Sequence, residues 1–286
     1  MGTVKIVECP RDAMQGLHDF IPTEKKISYI QSLLQVGFHT IDFGSFVSPK
    51  AIPQMRDTAQ VLAGLELDDT SSKLLAIVAN LRGAQEAASH PQISYLGFPF
   101  SLSETFQQRN TNTSIGAAFE TVKQLLELCA KTDKKLVLYF SMGFGNPYGD
   151  PWNAGIVEAW TEKMSALSVE TISLSDTSAQ ATPENISEVF AALVSKYPQI
   201  EFGAHLHTTP ERWREKIEAA WNNGCTRFDG ALKGYGGCPM ASDVLTGNMP
   251  TENMLQFFSD KNIALGLDGK AFQNAMQVAG DVFASE

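Results

Sequence analysis

The sequence predicts an α/β fold, a single (β/α)8 barrel of the TIM type with a helical extension at its C-terminus. Short apolar, β-rich runs alternate with longer helical patterns along the whole chain, and eight such runs can be found. The length of 286 residues suits one barrel of about 250 residues plus an addition. No G-x-G-x-x-G fingerprint follows the first run, which weighs against the alternative of an open doubly wound sheet.

The strand runs are 3–8, 39–43, 73–79, 93–98, 135–141, 170–175, 200–207 and 226–232. Several are nearly continuous apolar segments, as expected of parallel strands covered by helices. After the first run, Thr23 opens T-E-K-K-I-S-Y-I-Q-S-L-L, which aligns Ile27, Ile30, Leu33 and Leu34 on one face and stops at Gly37. Residues 114–131, 183–197 and 210–223 read as helices in the same way, the last closed by Gly224. Two helical segments after Gly247 read as an addition over the barrel mouth. No linker or sequence repeat interrupts the alternation, so residues 1–286 are expected to form one catalytic domain.

Composition excludes some functions. A net charge of −10 and a pI near 5.0 repel nucleic acid and anionic membrane surfaces, although a local basic pocket for a small acidic or phosphorylated substrate stays open. Cys9, Cys129, Cys225 and Cys238 form neither a C-x-x-C pair nor a dense framework, so no zinc ribbon or disulfide scaffold is expected. The opening M-G-T-V-K-I-V-E lacks the charged and apolar sections of a signal peptide, and no apolar run reaches the ~18 residues of a membrane span. The expected compartment is a reducing cytoplasm.

In such a barrel, side chains that act on substrate sit at the C-terminal ends of the strands. Arg11 and Asp12 follow the first strand, Asp42 ends the second, Asp176 ends the sixth, and His205 and His207 end the seventh. Side chains two apart on a strand share a face, so the H-L-H of His205 and His207 can hold one cation. With a carboxylate oxygen from Asp12, the set suits Mg2+, Mn2+ or Zn2+. The plainer readings are histidines satisfied inside a barrel core, Asp12 or Asp176 as helix caps, and Arg11 as a salt-bridge partner. Cys238, in G-Y-G-G-C-P after the eighth strand, is either a small buried apolar residue or part of a flexible lid.

Further segments carry a resemblance over nearly the whole chain. They are V-K-I-V-E-C-P-R-D-A-M-Q, S-F-V-S-P-K-A-I-P-Q-M, S-E-T-F-Q-Q-R-N-T-N-T-S-I, G-F-G-N-P-Y-G, S-L-S-D-T, H-L-H, G-Y-G-G-C-P and T-G-N-M-P-T-E. The chain resembles the 3-hydroxy-3-methylglutaryl-CoA lyases, members of the metal-dependent lyase and condensing-enzyme barrels. The S-F-V-S-P-K and G-G-C-P segments favour the lyases over the condensing relatives. The resemblance implies a divalent cation held by Asp12, His205, His207 and Asn248, and an acyl-CoA substrate. It implies that Arg11 stabilises the enolate oxygen of departing acetyl-CoA and that Cys238 is a proton donor. Asp42 and Asp176 match acidic residues of the active site, and Gln15 matches the glutamine of R-D-G-L-Q. The implied products are acetoacetate and acetyl-CoA, as in leucine degradation and ketone body formation, and the implied assembly is a homodimer. An aldolase or condensing enzyme of the same barrel family and a non-catalytic paralogue are the alternatives.

The chain also departs from the family pattern. Asp42 stands for a glutamate and is one methylene shorter. Ala13 and Ser175 stand for glycines, and Thr208 for an aspartate that often follows the histidine pair. These changes are expected to reshape the pocket wall while the cation-binding set remains. Lys50, Arg109 and Asn110 are considered for the CoA phosphates or adenine, against the commoner case of solvated surface residues.

Overall fold

The computed structural model describes residues 2–236 and 247–284. Its first half runs β1 (Lys5–Glu8), α1 (Pro10–Gln15), α2 (Thr23–Leu34), β2 (Thr40–Ser45), α3 (Thr58–Ala63), β3 (Lys73–Ile77), α4 (Leu81–Ala88), β4 (Ile93–Ser101), α5 (Glu104–Thr111) and α6 (Ile115–Thr132). The second half runs β5 (Lys135–Ser141), α7 (Ala154–Ala166), β6 (Thr171–Ser175), α8 (Pro183–Lys196), β7 (Glu201–His205), α9 (Trp213–Asn222), β8 (Arg227–Gly230), α10 (Thr251–Asp260) and α11 (Gly269–Phe283). The eight strands pair in sequence order, all parallel, and β8 closes on β1 through Ile6 beside Phe228 and Val7 beside Asp229.

The helices begin where side chains can cap them. Ser114 accepts the amide of Ala117 at the start of α6, and Asn153 accepts that of Ile156 at the start of α7. Thr182 and Asn185 form a reciprocal box ahead of α8, with Pro183 in its first turn. The buried faces of these helices, with Val122 and Leu125, Val157 and Met164, and Val189 and Phe190, pack on the outside of the barrel as one continuous core.

All eight predicted strand runs correspond to barrel strands, with shifted ends. Three ends matter to function. β2 runs on to Ser45 with a register shift between Asp42 and Gly44, so Asp42 lies inside the strand and does not end it. β7 stops at His205, so His207 lies beyond the pleat and pairs with Asn248 in an isolated antiparallel bridge. Arg11 and Asp12 sit in α1, a short helix opened by Pro10.

The C-terminal helices also differ from expectation. Contacts with α9 and β8 make α10 the eighth helix of the outer ring. α11 is the true addition, and it packs along α2 while its end reaches the turn after β8. Among the described residues, no helix is long and apolar enough to cross a membrane.

Candidate metal centre and active site

The barrel mouth collects charge from α1, β2, the end of β7 and the segment before α10. Asp12 is at its centre. One carboxylate oxygen accepts Arg11 Nη1 at 2.8 Å and Gln15 Nε2 at 2.7 Å, and the other accepts Asn248 Nδ2 at 2.7 Å. Burial opposes ionisation of Asp12, but the charge of Arg11, the neighbouring imidazoles of His205 and His207, and the Asn248 bond hold its pKa below the usual carboxylate range. Asp12 therefore stays an anion at neutral pH.

Each oxygen of Asp42 meets Arg11. Nε lies 3.2 and 3.0 Å from the two oxygens, and Nη2 closes a second bond to the nearer one. Among the described residues, Arg11 thus spends three of its five N–H groups on Asp42 and Asp12, which leaves two for a ligand oxygen. Asp42 is fully buried, and burial lifts its carboxyl to about 6 against the opposing pull of Arg11. The shorter side chain in place of glutamate still reaches the guanidinium.

The histidines close the cluster. Asp12, His205 and His207 offer ligand atoms that all lie within 4.8 Å of one another. His207 is buried, and burial together with the neighbouring His205 charge pushes its pKa down to about 4, so it is a neutral imidazole ready to ligate. Asn248 is brought in by its bridge to His207 and by donating its amide to Asp12 and, at 2.9 Å, to the Tyr235 carbonyl. Its carbonyl oxygen is the atom left to offer. One carboxylate, two imidazoles and an amide oxygen form a donor set that fits Mg2+, Mn2+ or Zn2+.

Gly236 belongs to the same corner. Its φ is +89°, and a Cβ there would lie 2.6 Å from the Asp12 carbonyl oxygen and 2.7 Å from Ala13 Cα. The second glycine of G-Y-G-G is thereby required both by its left-handed backbone and by this close approach. Ala13 itself is buried in the core beneath it. Ser175, also buried, ends β6.

The structure brings Arg11, Asp12, Gln15, Asp42, His205, His207 and Asn248 together, and Asp176 is buried beside them behind His207. The Asp176 carboxylate accepts the Ala181 amide and Lys216 Nζ, each at 2.8 Å, and Lys216 also donates to the His207 carbonyl at 2.7 Å. Lys216 thus links Asp176 to the backbone of His207. The cap of α8 is Thr182, not Asp176. Cys238 lies outside the described residues. Lys50, Arg109 and Asn110 are exposed, and the Arg109 guanidinium lies 4.7 Å over the Tyr148 ring.

Sequence reasoning missed Lys216 and Asp229. Lys216 is a lysine on the buried face of an amphipathic helix, where pattern alone expects an apolar residue. Asp229 sits in the short R-F-D-G run of β8, and an acidic residue at mid-strand is the signal that would have exposed it.

A single barrel with acidic, imidazole and guanidinium groups gathered at the C-terminal rim has the layout of a barrel enzyme, with groups there that could hold a metal ion, and similarity narrows it. The family model described as HMGL-like matches residues 4–279, and the chain belongs to that family. It is 32% identical over 269 residues to the mitochondrial hydroxymethylglutaryl-CoA lyase of Gallus gallus, covering 93% of this chain and 88% of that protein. The 3-hydroxy-3-isohexenylglutaryl-CoA/hydroxy-methylglutaryl-CoA lyase of Pseudomonas aeruginosa is 31% identical over 275 residues, covering 96% and 91%. Among solved structures, the HMG-CoA lyase from Brucella melitensis superposes with a TM-score of 0.92 at 28% identity, covering all of both chains. The HMG-CoA lyase from Acinetobacter baumannii in complex with coenzyme A and 3-methylmalate gives 0.90 at 28% identity, covering 99% of this chain and 92% of that one.

Proposed function

We propose that this protein is a carbon–carbon lyase that cleaves 3-hydroxy-3-methylglutaryl-CoA to acetoacetate and acetyl-CoA. The observation that carries the reading is the convergence of Asp12, His205 and His207 around Arg11 in a chain of this family. Asp12, His205, His207 and the amide oxygen of Asn248 would hold a divalent cation, Mg2+ or Mn2+ before Zn2+. When bound, such a cation acidifies a substrate hydroxyl and orients the oxygens beside it.

The chain's own residues supply the rest. Asp42, with its pKa lifted to about 6, is the carboxyl suited to take the hydroxyl proton, and it also fixes the plane of Arg11. The C–C bond breaks as the tertiary alkoxide collapses to the ketone of acetoacetate, and the electron pair leaves as the enolate of acetyl-CoA. The two uncommitted N–H groups of Arg11 receive that enolate oxygen, where preorganised charge is most effective. Gln15 holds Asp12 in register. The thiol of Cys238, on the G-G-C-P motif, is the acid that protonates the enolate carbon.

The test is direct. Purified protein in reductant with Mg2+ or Mn2+ is expected to release acetoacetate and acetyl-CoA from 3-hydroxy-3-methylglutaryl-CoA, and chelation is expected to abolish the release. No turnover with cation present overturns the reading. A related 3-hydroxyacyl-CoA with a larger 3-substituent is the second reading, favoured by the methylene lost at Asp42 and by the two substrates in the name of the Pseudomonas relative. Comparing kcat/KM for the two thioesters separates these readings. Cys238→Ala tests the lyase against an aldolase or condensing enzyme, which needs no loop thiol. The buried, unbridged thiols of Cys9, Cys129 and Cys225 suit a reducing cytoplasm, and a homodimer is the expected assembly, checked by light scattering.

A further inference from the structure

Below the mouth, the barrel interior holds a layer of polar side chains to which the reaction above gives no role: Tyr139 of β5, Ser173 of β6, and Arg227 and Asp229 of β8. They share the inner face with Gly203 and the proposed cation ligand His205 of β7. Contacts between strands that are not neighbours show that these positions face inward. Ser173 on β6 donates to Asp229 on β8 at 3.2 Å, and the Tyr139 ring on β5 meets the His205 ring on β7 edge-on at 5.8 Å. A Cβ at Gly203 would lie 3.2 Å from both Arg227 Cδ and Ser173 Oγ, so the missing side chain makes room for the buried arginine.

Asp229 is the centre of this layer. It is 2% exposed, and its Oδ2 lies 3.3 Å from Nδ1 of His205. Among the described residues its Oδ1 has no hydrogen-bond partner, so its bonds are to Ser173 and His205. We propose that Asp229 is the positioning residue for His205: it accepts Nδ1–H, fixes that tautomer, and so aims the Nε2 lone pair at Asp12 and His207. The inference rests on the proposed cation site. An imidazole that ligates a cation carries one ring proton, and if Asp229 holds it on Nδ1, only Nε2 can ligate. A carboxylate behind a ligating histidine also makes the ligand nitrogen more basic. The opposite arrangement is a softer cation held lower by Cys9, His205 and Asp229, whose ligand atoms also lie within 4.8 Å of one another. It would require Nδ1 to be unprotonated and thus makes the opposite demand on the ring.

The experiment uses the full chain, stripped of metal, with Mn2+ as probe and carbon- and nitrogen-labelled histidine for NMR. Wild type is expected to take one equivalent of Mn2+ and to show His205 protonated on Nδ1. Asp229→Asn lets an amide N–H face the ring and favours the Nε2–H tautomer. That variant is expected to lose roughly 10–100-fold in Mn2+ affinity and to show the tautomer change, which loss of stability alone would not produce. Ser173→Ala, which frees one side of Asp229, is expected to give a smaller loss in the same direction. If wild type binds Mn2+ and Asp229→Asn binds it within about twofold, the positioning role is overturned and the cation site stands. If wild type takes no Mn2+, both fall. Should Asp229→Asn fail to fold, the wild-type tautomer decides, since a proton on Nε2 of His205 overturns the proposal. A second equivalent of cation that disappears in Cys9→Ser overturns it as well.

Discussion

Glu8 is fully buried in β1, where one oxygen accepts the Leu232 amide at 2.9 Å and the other the Thr251 hydroxyl at 2.6 Å. Burial lifts its carboxyl from 4.5 to about 8 despite those two bonds. The folded chain therefore binds a proton that the unfolded chain has released, and stability must fall as pH rises from about 4.5 through about 8. Glu8→Gln keeps an acceptor for Leu232 and gains a donor for Thr251. It is expected to flatten that part of the stability curve and to match or exceed wild type at pH 8, as read from urea unfolding at several pH values. Parallel curves for the two proteins would show that the carboxyl ionises without cost. At this scale the sequence showed, in H-L-H and R-D at strand ends, that His205, His207, Arg11 and Asp12 would share one rim, and the structure brings them together. For Asp229 the sequence offered only an acidic residue at mid-strand, and it could not say which partner that carboxylate meets, because His205 and Ser173 come beside it only when the barrel closes.

At the scale of elements, strand ends and helix faces must cooperate to hold the mouth. β7 carries His205, but His207 lies past its end, where the pleat no longer sets its direction. Its carbonyl is fixed instead from outside the sheet by Lys216 of α9, which is 2% exposed and also paired with Asp176 after β6. Lys216→Met would leave the Asp176 carboxyl buried without its cation, at a cost of about 3–5 kcal/mol. Burial already raises the pKa of Asp176, so the loss should be smaller at low pH, where the carboxyl takes a proton. Urea unfolding is the measurement, and adding Asp176→Asn to Lys216→Met is expected to recover part of the loss. A single variant as stable as the parent would mean that the ion pair contributes nothing net. The alternation of strands and helices was legible because each has its own hydrophobic period. The place of Asp42 was not, because a register shift within β2 depends on its neighbour β3 and leaves no mark in the local pattern.

For the molecule as a whole, α11 joins the outer wall of the barrel to the proposed cation site. α11 packs on α2, and Phe283 near its end meets Tyr29 of α2 edge-on at 5.8 Å and stacks on Tyr235 at 4.2 Å. Tyr235 in turn offers the carbonyl that holds the Asn248 amide, and Asn248 holds Asp12. Apolar periodicity announced a helix here; that it would brace the outer wall could not be read from the sequence, because α2 and α11 are far apart along the chain and meet only once the barrel has closed. Phe283 is 5% exposed, and Phe283→Ala should cost on the order of 3 kcal/mol of stability through the cavity it leaves. The same change loosens Tyr235, and with it the orientation of Asn248. Mn2+ affinity is therefore expected to fall as well, at temperatures where the variant remains folded. Calorimetric titration beside a thermal melt tests both consequences together. A lowered Tm with unchanged Mn2+ affinity would confine α11 to holding the wall, whereas a fall in both would tie the C-terminal helix to the chemistry at the mouth.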